Sequence, residues 1–127
     1  MNAYSAMKQY QSVSVNAQVS EADPHRLIQM LMEGGLKRMA EAKGAMQQGN
    51  TPLKGELIGK AVAIVGGLQD ALDIKQGGEV AANLHELYRF MQQRLAHANV
   101  HNDPAVLDEV ASLLREIKEG WDGIRQS

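Results

Sequence analysis

The chain has 127 residues, enough for one domain with a real core and too few for a cofactor domain joined to a substrate domain. Thirteen basic residues against fifteen acidic ones give a net charge of -2 with no basic block, so the electrostatic footprint of a nucleic-acid binder is missing. Cysteine is absent, which removes disulfides, thiolate zinc clusters and cysteine nucleophiles and fits a reducing cytoplasm.

A hydrophobic fraction of 44% with only 4% aromatic residues, carried by Ala, Leu and Met among Gln, Glu and Lys, favours helices over a β-sandwich. In chain order, residues 1–22 come first. They hold two charges, Lys8 and Glu21, among much Asn, Gln and Ser. Tyr4, Met7 and Tyr10 recur at a spacing of three, as on one side of a short helix, and Val13, Val15, Ala17 and Val19 alternate as in an extended segment. This is more apolar than a disordered tail. The expectation is a mobile N-terminal segment, a partly ordered cover that lies on the rest of the protein and can leave it.

Each of the three prolines follows a residue suited to capping a helix: Asp23-Pro24, Thr51-Pro52 and Asp103-Pro104. The side chain accepts a bond from an orphan N–H, and Pro tolerates the first helical position because its missing N–H would have no partner there. Gly49-Asn50, Gly77-Gly78 and the segment Asn99 to Asn102 supply the stops. The pattern predicts helices near 24–48, 52–75, 79–99 and 104–125. Short loops make sequential neighbours antiparallel, so residues 23–127 are expected to form an all-α, antiparallel, up-down-up-down four-helix bundle.

The four helices differ in how widely their apolar residues spread. At 100° per residue the third, with Leu84, Leu87, Met91 and Leu95, and the fourth, with Val106, Val110, Leu113, Ile117 and Trp121, keep to arcs of about 100° and 120°. The second spreads over about 180° and the first over about 240°. Four of the chain's methionines, Met30, Met32, Met39 and Met46, lie on the first helix, and pliant thioethers suit surfaces that bind apolar helices. Met39 and Met46 read as core. Met32, Leu36, Ile58, Val62 and Val65 are expected to wall a spare apolar groove, covered by the N-terminal segment, a second copy of the chain or an apolar helical partner.

Catalytic and metal signatures are absent from the pattern. Di-iron bundles need Glu three residues before His, and the residues three before His25, His85, His97 and His101 are Ala22, Ala82, Arg94 and Ala98. His97 and His101, four apart, straddle a helix end without a third ligand. Gly55 to Ala61 imitates a phosphate loop but has three residues between its glycines and ends in Ala where Ser or Thr should hold magnesium. The longest nonpolar run, Ala61 to Leu68, falls far short of the roughly 20 residues that span a bilayer. The N-terminus has no charged region followed by an apolar one. Neither an enzyme, a cofactor nor membrane insertion is expected, and the protein reads as cytoplasmic.

Several strings resemble the flagellar secretion chaperone family FliS: Tyr4 and Tyr10 in a polar N-terminal segment, Asp23-Pro24-His25-Arg26-Leu27-Ile28-Gln29-Met30-Leu31, Gly78-Glu79-Val80-Ala81-Ala82-Asn83-Leu84 leading to Leu87-Tyr88, then Leu95 with Ala98-Asn99, and Leu114-Arg115-Glu116 before Trp121. The chain departs from the family at Met32-Glu33, where Tyr-Asp is usual. The resemblance implies a helical bundle that binds the C-terminal region of flagellin, keeps flagellin from polymerising in the cytoplasm and aids its delivery to the flagellar export apparatus. It also adds Asn83, Leu87 and Tyr88 to the candidate partner-binding residues, beside Tyr4, Met7 and Tyr10 as cover or contact. Two other readings compete. One is a phosphorelay domain with an exposed His85 followed by Arg89, and the other is a structural homodimer that buries the spare groove.

Overall fold

The computed structural model describes residues 23–124. Four helices follow in order: α1 Pro24–Gln47, α2 Thr51–Asp70, α3 Ile74–His101 and α4 Pro104–Asp122. The described residues are otherwise turns and links of two or three residues, so consecutive helices reverse direction. Packing runs α1 on α2, α2 on α3, α3 on α4 and α4 back on α1. The bundle is thus a closed ring of antiparallel neighbours, tightest between α1 and α2 and loosest between α3 and α4.

Side-chain caps begin every helix. Asp23 accepts from the Arg26 N–H at 2.8 Å and Asp103 from the Ala105 N–H at 3.1 Å, as the Asp-Pro pairs suggest. At α2 the cap differs from the expected Thr51. Asn50 accepts from the Leu53 N–H at 3.2 Å, the helix starts at Thr51, and Pro52 is the second helical residue, where an N–H is also dispensable.

The second helix is shorter than predicted and the third longer. α2 ends at Asp70, and Asp73 caps a new start by accepting from the Gln76 N–H at 3.1 Å. One turn, Ile74 to Gly77, then leads to Gly78, whose φ of 59° and ψ of −137° interrupt the helix. Only glycine adopts that conformation without steric cost. The far end runs to His101 and is closed by Asn102 in the left-handed region, φ 55°, with its N–H donated to the Ala98 carbonyl.

The core is a column of Leu31, Met39, Val65, Met91, Leu95, Leu107 and Leu114, each at most 1% exposed. Gly35 lets α1 approach closely, since a Cβ there would stand 3.2 Å from Leu114 Cδ2 and 3.4 Å from Ile64 Cγ2. Met32, Ile58 and Val65 belong to this core at 1%, 2% and 0% exposure, so the expectation of an open groove along α1 and α2 is corrected at these residues. Those two helices pack against each other more extensively than any other pair in the ring. Their wide apolar arcs are consumed inside the ring.

Candidate partner-binding cleft

Open apolar surface lies at one end of the bundle, where α1 begins, α2 ends, α3 begins and α4 ends. A cleft of about 580 Å³ is lined there by Ile28 and Met32 of α1, Leu68 of α2, Leu72 of the following link, Ala81, Leu84 and Tyr88 of α3, and Ile117 and Trp121 of α4, with Ile124 beyond. Met32, Leu68 and Tyr88 are buried and form the floor. Ile28, Leu72, Leu84, Ile117 and Trp121 are half-buried walls, and Ile124 stands 53% exposed at the mouth. The volume and apolar lining suit a ligand site, for which about 300–1,000 Å³ is usual.

The local sequence explains the opening. α2 stops at Asp70 and α3 is broken at Gly78, so the α2–α3 connection turns away before the last two turns of α4 are covered. Across the cleft, α1 and α4 are fastened together. His25 Nε2 donates to the Trp121 carbonyl at 2.7 Å, Trp121 Nε1 donates to the His25 carbonyl at 3.0 Å, and the two rings stack at 4.8 Å. Asp122 accepts from Lys118 Nζ at 2.7 Å and from Gln29 Nε2 at 2.8 Å. Those bonds, Lys118 foremost, hold its carboxyl below the usual carboxylate range. Burial pushes the Tyr88 phenol up to about 12, because the apolar floor disfavours the charged phenolate.

Of the residues singled out from the sequence, Met32 and Tyr88 meet in this cleft. Leu36 and Val62 are half-buried against the core, and Ile58 and Val65 are buried within it. None of these four lines the cleft. Asn83 is exposed and Leu87 half-buried on the flank of α3. Tyr4, Met7 and Tyr10 lie outside the described residues. Sequence reasoning missed Leu72, Leu84, Ile117 and Trp121 as cleft residues. The usable signal was the Gly77-Gly78 pair, which shortens the cover over the C-terminal turns of α4.

The other candidate chemistry finds no matching geometry. His85 is half-buried and faces α2, where Gln69 Nε2 donates to its carbonyl at 3.1 Å and lies 3.4 Å from Nδ1. Gln92 Nε2 continues that ladder by donating to Gln69 Oε1 at 2.8 Å. A phosphorelay site needs the imidazole in solvent. The exposed rings of His97 and His101 lie 4.2 Å apart, and no group of three or more metal ligands occurs among the described residues. No described helix is long and apolar enough to cross a membrane.

A family model described as "Flagellar protein FliS" matches residues 6–127. The chain is 60% identical over 124 residues to the flagellar secretion chaperone FliSB of Pseudomonas aeruginosa, covering 98% of each chain. It is 47% identical to the flagellar secretion chaperone FliS of Vibrio cholerae, over 94% of this chain and 88% of that one. With the Salmonella typhimurium chaperone of the same name the identity is 42%, over 98% and 93%. On this whole-length match, and with the helical bundle already described, the chain belongs to the flagellar protein FliS family.

Proposed function

We propose that the protein is a cytoplasmic export chaperone that holds the C-terminal region of flagellin against the end cleft, prevents premature polymerisation and presents its cargo to the flagellar export apparatus. The observation that carries this reading is the open apolar cleft, floored by Met32 and Tyr88, in a chain whose relatives are named flagellar secretion chaperones. A polymerising segment is disordered alone and folds as it buries its apolar face. Ordering the segment consumes part of the interaction energy, so the complex is tight enough to block assembly and loose enough to release at the export gate.

Residues 1–22 join the described chain at Asp23, two residues before His25 and beside the cleft wall. In this reading Tyr4, Met7 and Tyr10 act as a displaceable cover or as direct contacts, and Leu36, Val62, Asn83 and Leu87 extend the contact surface beyond the cleft. No nucleic acid, cofactor or membrane insertion enters the mechanism, and cargo competes with any homodimer of the free protein.

The test is complex formation, read by size-exclusion chromatography with light scattering, between this chain and either full-length flagellin or flagellin lacking its C-terminal region. Binding to the full-length cargo alone is the expected result. Equal binding to both would overturn the reading.

A further inference from the structure

We infer that the cleft selects an apolar helical segment carrying Lys or Arg beside its anchors; the inference rests on the cleft being the partner site. The charged residues that line it are Asp73 and Glu116, both acidic and both exposed. Among the described residues neither takes part in an ion pair. Glu109, two turns earlier on α4, is by contrast held by Arg94 at 2.8 Å, and the nearby Lys118 is held by Asp122 at 2.7 Å. Asp73 caps α3 through Oδ1, which uses a lone pair and leaves the charge in place.

The two carboxylates therefore stand on different elements of the lip, around walls made by Leu72, Leu84, Ile117 and Trp121. Beside a low-dielectric cavity their field is less screened than on an open surface. A lysine or arginine stem can lie along the apolar wall while its head reaches the lip. An acidic segment would meet like charge. A second copy of this chain docked cleft to cleft about a two-fold axis would bring the same two acids against themselves, so the charge pattern favours a basic, apolar partner helix over self-association.

Trp121 is the chain's one tryptophan, and its emission reports on the cleft in the full-length protein. The probes are three synthetic helical peptides with identical Leu anchors at i, i+3, i+4 and i+7, flanked by Lys, Gln or Glu. The Lys peptide is expected to bind about tenfold tighter than the Glu peptide at about 0.05 M salt, with the ratio collapsing near about 1 M. A double variant, Asp73→Asn with Glu116→Gln, keeps the cap because Asn also caps, and should bind all three peptides alike, with its fold checked by circular dichroism.

Equal affinities at low salt, or a preference that survives in the double variant, would overturn the inference while leaving the cleft as a binding site. Silence of Trp121 toward all three peptides would overturn it too, and titrating flagellin against the same emission then decides whether the cleft reading falls with it.

Discussion

His25 and Trp121, 96 residues apart in sequence, bond to each other twice, each side chain donating to the other's backbone carbonyl while their rings stack. The pair locks the first turn of α1 to the last turn of α4 and sets the angle of the indole in the cleft wall.

Replacing His25 with Ala removes the side-chain donor to the Trp121 carbonyl, which still accepts from the Ile124 N–H at 3.1 Å, and takes the stacking partner from the indole. Stability is expected to fall by about 1–3 kcal/mol, with a red shift of tryptophan emission as the ring loosens. Denaturant melts and emission spectra check both, and an unchanged spectrum would show that the ring is held by its apolar neighbours alone.

Lys54 fastens the opposite end of the bundle. Its side chain is buried, and Nζ donates to the Asn99 carbonyl at 2.9 Å and to Asn102 Oδ1 at 2.8 Å, placing a cation against the negative end of α3. Lys54→Met keeps the stem and removes the donors. It should cost about 1–3 kcal/mol and speed amide exchange near residues 98–102, whereas Lys54→Arg should recover part of the loss.

The raised pKa of Tyr88 makes stability depend on alkaline pH. Its neutral form is favoured in the fold, so the contribution is complete below the unfolded value near 10 and is lost as pH climbs toward about 12. Over that window the difference between wild type and Tyr88→Phe should change by about 3 kcal/mol, measured by denaturation at a series of pH values. Parallel profiles for the two proteins would contradict the assignment.

Ile58 is 2% exposed among core residues, so Ile58→Ala is expected to destabilise the bundle by about 2–5 kcal/mol. Val62→Glu, at a half-buried position, should cost less. Comparing their melts separates core from flank on α2.

The bundle was legible in the sequence because its signals are local: capping residues, prolines and apolar spacing each act within one turn. Asp23 and Asp103 cap as their Asp-Pro pairs suggest, while Asn50 displaces Thr51 because either residue can cap and spacing alone does not choose. The position of the open surface was not legible. Wide apolar arcs pointed to α1 and α2, yet these two helices share the most extensive packing in the ring, and much of their apolar width is spent there. The opening arises where neighbours run out, at Leu72, Leu84, Ile117 and Trp121, and depends on where α2 stops and on the φ of Gly78. Met32, expected in a groove along α1 and α2, and Tyr88, added by the family resemblance, both lie on the floor of the end cleft.

The most direct measurement is site-specific crosslinking with flagellin, using a photoreactive phenylalanine analogue placed at Ile124, at the cleft mouth, or at Val100, 78% exposed near the other end of the bundle. Flagellin should crosslink at position 124 and not at 100, and the product should vanish when flagellin lacks its C-terminal region. Crosslinking at position 100 with none at 124, or a product at 124 that persists with the truncated flagellin, would contradict the cleft as the chaperone site.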